Sequence, residues 1–265
     1  MRHIPTIAGR ELGAFFVSPV AYVVLSLYAL LAGFFFLSSI LQFNEIVIRL
    51  QQFQAIEQLQ AVNLNDYVIS PFLGVMSVVL LFLVPGITMG LFAAEKANGT
   101  DELLLTSPIT IWDIVLGKYL AAAAFVLLMV ALLGLYPGIL FLYGDPEIGK
   151  TTAGMLALLL TGLLYAAIGA FASSVTANQI IAFVLSFVLL LLLLMLSVIA
   201  DLGAAGGALG ATGTVAELLR YLSTNDHFET MVRGLVDTAD LAYYGAMIGS
   251  FLILAKAAVE SVRWR

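Results

Sequence analysis

An all-α membrane protein with six transmembrane helices is the fold class this sequence predicts, on three observations. Six apolar runs of bilayer length divide the chain, at about residues 20–41, 69–92, 119–143, 153–172, 180–200 and 241–259. Of 265 residues, 62% are apolar and 11% charged, with a mean hydropathy of +1.07, whereas a soluble domain carries about 25% charged residues. The charges that do occur collect between the runs. The whole chain, 1–265, reads as one transmembrane domain.

Each element has its own signal. Ile4, Ile7, Leu12, Phe15 and Phe16 fall near helical spacing among Arg2, His3, Arg10 and Glu11, which predicts an amphipathic helix lying at the membrane surface. The first run then stays free of charge for about 22 residues, enough at about 1.5 Å each to cross a core of about 30 Å. It is too long for a signal-peptide core and reads as an uncleaved anchor. Residues 42–69 are Gln-rich and read as an exposed connection with a short helix through Gln51 to Gln60. The second run contains Pro71 and Pro85, and Pro85-Gly86 marks a bend, because an interior proline deletes a backbone hydrogen bond.

The longest polar interruption fed directly by two apolar runs is Glu95 to Lys118, with Glu95, Lys96, Asp101, Glu102, Asp113 and Lys118. Ser107-Pro108 offers a helix start, and Thr110 with Asp113 fits a capping box. In the third run Gly134, Pro137 and Gly138 predict a distorted far end. Thr176 with Gln179 predicts a cap for the fifth run, eight of whose residues are leucine. From Asp201 five glycines suggest a linker, followed by a polar segment with helix starts at Ser223 and Asp237 on either side of Gly234.

Six crossings place both termini on one side. That side carries seven Lys and Arg (Arg2, Arg10, Lys96, Lys118, Lys256, Arg263, Arg265) against four on the other (Arg49, Lys150, Arg220, Arg233), so by the positive-inside rule the termini are cytoplasmic. The net charge of −6, with no basic run, argues against nucleic acid as a partner. With no cysteine there is no disulfide framework and no thiolate chemistry.

Gly144-Asp145-Pro146-Glu147-Ile148-Gly149-Lys150-Thr151 matches the phosphate-loop expression at every fixed position. Its flanks are bilayer-length apolar runs rather than a strand and a soluble α/β core, its side is the outer one, and Asp145 and Glu147 would repel phosphate. It reads as a turn. The two histidines, His3 and His227, are far apart in sequence and neither belongs to a His-Glu-x-x-His motif, so neither a metal site nor an intramembrane hydrolase is expected. The first five runs contain no ionisable residue, and Lys256 near the end of the sixth can snorkel, which argues against a proton-driven carrier. The chain is expected not to be an enzyme.

Glu95, Gly99-Thr100, Glu102-Leu103-Leu104, Pro108 and Ile114-Val115-Leu116-Gly117-Lys118 together resemble the loop between the second and third membrane helices of ABC-2 type ABC transporter permeases. Arg10-Glu11 before the first run, and His227-Phe228-Glu229, Arg233-Gly234 and Asp237 before the last, are similar to the gliding-motility-associated subgroup. The resemblance implies that the central loop is a coupling helix docking on a separate cytoplasmic ATPase through Glu95, Gly99, Thr100, Glu102, Leu103, Leu104 and Pro108. It further implies short outer helices before the sixth span, with His227, Phe228, Glu229, Arg233 and Asp237 serving gating or an extracytoplasmic auxiliary subunit. A permease homodimer in a bacterial plasma (inner) membrane is implied too, exporting a hydrophobic substrate or transmitting force. No cofactor is expected on this chain, since ATP and Mg are used by the partner. A secondary transporter without an ATPase, and a non-transporting scaffold or assembly factor, are the alternative classes.

Overall fold

The computed structural model describes residues 3–54, 62–100, 109–206 and 213–262. Among these residues there is no strand. The helices, in order, are α1 (Ile4–Val17), α2 (Pro19–Gln52), α3 (Ser70–Thr88), α4 (Gly90–Asn98), α5 (Ile111–Leu133), α6 (Leu135–Tyr143), α7 (Ile148–Val175), α8 (Gln179–Gly206), α9 (Gly213–Leu222), α10 (Thr224–Val232) and α11 (Thr238–Val262). A five-residue π turn, Asn65–Ile69, leads into α3. Six stretches are long and apolar enough to cross a membrane: Pro19–Gln52, Asn65–Asn98, Ile111–Tyr143, Ile148–Val175, Gln179–Asp201 and Thr238–Ser261. The predicted fold class holds.

Helix breaks follow backbone chemistry. Ser18 separates α1 from α2, its Oγ accepting the Val20 N–H at 3.3 Å, and Pro19 at the first helical position lacks an N–H that would be unpaired there anyway. The predicted pair caps α5: Thr110 Oγ1 accepts the Asp113 N–H at 3.2 Å and donates to Asp113 Oδ2 at 2.7 Å. In the second span Pro85 stays inside α3 and the break falls at Met89. In the third it falls at Gly134, three residues before Pro137.

Three expectations need correction. The first span's helix runs on to Gln52, since no glycine, proline or capping break interrupts residues 42–52, so Gln51 belongs to α2 and the rest of the proposed short helix falls largely on residues 55–61, outside the described residues. The cap of α8 is Asn178, whose Oδ1 accepts from Ile180 N at 2.9 Å, while Thr176 Oγ1 accepts from Asn178 N one step earlier. Helix α8 also continues through Asp201 to Gly206, so the glycine linker starts later than its composition suggests.

Helix α7 is the axis of the bundle. Of its most apolar window 67% is buried, against 22–50% for the other spans, and it packs on α3, α5, α8, α10 and α11. Its small residues allow this close approach. At Gly169 a Cβ would overlap Thr88 Oγ1 and lie 2.7 Å from Thr88 Cβ, so only glycine admits α3 there.

Candidate functional site

One end of the bundle holds α1, α4, the start of α5 and the end of α7. Helix α1 lies against α5 at Gly117, where a Cβ would stand 2.7 Å from Ile7 Cγ2. Phe15 and Phe16 extend the contact to Phe125, with ring centroids 5.7 and 5.9 Å apart. The next residue, Lys118, is therefore carried beneath α1, where its side chain is 1% exposed.

A buried ammonium is costly unless each of its N–H bonds finds an acceptor. Lys118 Nζ donates to Leu91 O at 2.6 Å, Glu95 Oε1 at 2.8 Å and Glu11 Oε1 at 3.3 Å. The Phe92 ring lies 5.4 Å away. Arg10 completes the cluster, donating from a terminal guanidinium nitrogen to Glu11 Oε1 at 2.7 Å and standing 3.7 Å from Glu95 Oε1. Two carboxylates thus meet two cations, and the hydrogen bond donated to Glu11 raises the Arg10 pKa above its ordinary value, with burial opposing. Residues 107 positions apart are thereby tied together at this end.

Helix α4 stops at Gly99, whose φ of +67° suits glycine, and the Thr100 N–H returns to Glu95 O at 3.0 Å. Gly99 and Thr100 are thus the stop signal of α4. Glu102, Leu103, Leu104 and Pro108 lie outside the described residues. On the other flank, Ser173 of α7 closes the break at Met89: its Oγ donates to Met89 O at 2.8 Å and accepts from Phe92 N and Ala93 N, both at 3.0 Å. A serine from another helix thereby caps the start of α4. Lys96 Nζ also donates to Ser174 O.

At the opposite end α10 is tucked against α7, with Thr224, His227, Phe228, Met231 and Val232 buried. His227 lies between Asp240 Oδ1, 2.6 Å from Nδ1, and Tyr221 O, 2.9 Å from Nε2. Its ring stacks on Tyr243 at 4.0 Å. Thr224 and Leu222 O both bond the Tyr243 hydroxyl, at 3.0 and 2.9 Å. Glu229 and Arg233 point outward and pair at 3.2 Å, and Asp237 precedes α11, its Oδ1 accepting from Ala239 N. The five outer residues expected to act together thus divide into an inward pair and three at the surface. A cavity of about 330 Å³ opens between α3, α8 and α10, lined in part by Ser77, Leu194, Asn225, Phe228, Glu229 and Arg233. Asp226 has its pKa raised by burial and by Glu229 and Asp201, against Arg220 and His227.

The phosphate-loop look-alike sits between α6 and α7, with a helix where a nucleotide fold needs a strand. Asn65 fastens this turn, accepting from Glu147 N at 2.7 Å and donating to Thr151 Oγ1 at 3.1 Å. Lys150 stands 3.4 Å from Glu147 and 3.9 Å from Asp66.

Lys118, Ser173 and Asp240 join these sites in the structure without being marked as site residues by the sequence. Lys118 had a signal, a cation at the mouth of an apolar run facing Glu95. Ser173 had none, because its partners are backbone groups about 80 positions away.

No curated protein matches the chain. The family model described as ABC-2 family transporter protein matches residues 6–260. With six helices able to span a bilayer and a family match over nearly its whole length, this chain is an integral membrane protein that belongs to the ABC-2 transporter family, as a membrane subunit rather than a catalytic one.

Proposed function

We propose that this chain is the permease of an ATP-driven transporter, coupling a separate cytoplasmic ATPase to export, or to force delivered to a partner on the outer side. The observation that carries the reading is the junction of Arg10, Glu11, Glu95 and Lys118. Residues 101–108 connect α4, which stops at Gly99, to α5, whose start Thr110 caps, and α4 and α5 both contribute to that junction through Glu95 and Lys118. A push on the segment would move α1, α4 and α5 as one body. In this reading Glu95 acts inside the chain, fixing the root of the coupling helix, while Glu102, Leu103 and Leu104 meet the ATPase.

The excess of Lys and Arg supports a cytoplasmic position for this end and the termini. Two permeases and two ATPases would form the working unit in a bacterial inner membrane, with ATP and Mg held by the ATPases. The resemblance of His227-Phe228-Glu229, Arg233 and Asp237 to the gliding-motility subgroup favours an auxiliary partner or gate at the outer end. Purification of the tagged chain from its native membrane should bring down an ABC ATPase in equal amount. A pure, dimeric permease that never carries one would contradict the reading.

A further inference from the structure

The hydrogen bonds around His227 require one proton more than a neutral histidine and a carboxylate together hold. Tyr221 O is a carbonyl and can only accept, so Nε2 must carry a hydrogen. In a neutral ring Nδ1 would then be a bare lone pair, directed at Asp240 Oδ1 across 2.6 Å, which is repulsive for an ionised carboxylate. A proton must lie on that line. Whether it is assigned to the ring or to the carboxyl, the pair holds it jointly. The ring stacks face to face on Tyr243, at 4.0 Å and 19°, a position that favours a cationic ring.

The elements joined by this proton are three. His227 is on α10, Asp240 on α11, and Tyr221 on α9. The remaining titratable or charged neighbours are Tyr221 and Arg220 of α9, Tyr243 and Tyr244 of α11, Tyr165 of α7 behind Tyr243, Asp201 of α8, and Asp226 and Glu229 of α10 itself. Asp201 is engaged by Arg220, and Glu229 by Arg233, which leaves Asp240 as the carboxylate in direct contact with the ring. Asp240 Oδ2, and Ser223 Oγ at the start of α10, are buried without a hydrogen-bond partner among the described residues.

We propose that His227 and Asp240 form a proton-held latch that keeps α10 docked as one wall of the cavity beside Ser77, and that loss of the proton releases α10. Protonated, the latch makes both hydrogen bonds. Deprotonated, it can keep only one, and either Tyr221 O or the Asp240 carboxylate is left buried without its donor. The outer end is therefore closed at low pH and loosened as pH rises. Losing a hydrogen bond to a charged buried group shifts such an opening equilibrium about tenfold to a hundredfold.

The chain has no cysteine, so single thiols report cleanly. Ser77, 8% exposed, lines the cavity beneath Asn225 and Phe228, and Val236, 45% exposed, serves as reference for the thiol's own pH dependence. Maleimide labelling of Ser77→Cys, divided by that of Val236→Cys, should rise about tenfold or more between about pH 5 and about pH 9 in the purified full chain. Asp240→Asn gives the decisive arm. Its amide N–H can donate to a neutral Nδ1 while Nε2–H still donates to Tyr221 O, so both bonds survive without the extra proton and the ratio should stay low and flat. In His227→Gln it should be high and flat. A rise in Asp240→Asn equal to that of the parent, or no rise in the parent, would overturn the latch.

Discussion

Lys118 Nζ lies 2.8 Å from Glu95 Oε1 in a side chain that is 1% exposed, and the two residues belong to helices on opposite sides of the segment read as the coupling helix. Burial makes the pair consequential. Lys118→Met would leave Glu11 and Glu95 facing each other with only Arg10, itself half solvated, between them. Removing one partner of a buried pair costs about 3–5 kcal/mol; Glu95 and Glu11 retain 22% and 16% exposure, which places the loss nearer about 2–3 kcal/mol. Thermal unfolding in detergent checks this, and Lys118→Met with Glu95→Gln should cost less than the sum of the two single changes.

Ser173 is fully buried and makes three hydrogen bonds to the backbone around Met89. Ser173→Ala would strand two N–H groups and a carbonyl, costing about 2–4 kcal/mol. Because the loss is local to the break between α3 and α4, hydrogen exchange should accelerate at Phe92 and Ala93 more than at Leu80. Uniform acceleration over both helices would mean the break is held by something else.

The six-span fold was legible because lipid imposes length and apolarity, and the caps at Thr110 and Asp237 were legible because capping is local. Arg10, Glu11 and Glu95 were each singled out, yet no pattern in the sequence joins Glu11 to Lys118 across 107 positions; that contact exists because Gly117 lets α1 lie flat on α5. Conversely, the α8 cap lies at Asn178 rather than Thr176, because both carry competent acceptors and backbone geometry, not composition, selects between them. At Ser223 a helix does start, but its hydroxyl makes no capping bond, and α10 is held by the bonds of Thr224 and His227 together with its packing on α7.

Lys150, in the phosphate-loop look-alike, is a partly exposed cation beside Glu147 and Asp66. Lys150→Ala should change stability by less than about 1 kcal/mol and leave the ATPase activity of the assembled complex within about twofold of the parent. A hundredfold fall in ATP hydrolysis would make the turn a working nucleotide site.

Docking of segment 101–108 on an ATPase, as proposed above, is probed at Leu104. Leu104→Asp puts an unpaired charge into an apolar contact, costing a few kcal/mol and thus about a hundredfold in affinity. Co-purification of the ATPase with the Leu104→Asp permease, alongside the parent and at equal permease yield, is the measurement. The expected outcome is a permease that inserts and dimerises normally but loses its ATPase; retention of the ATPase at the parent's stoichiometry, with full activity, would overturn the coupling-helix assignment.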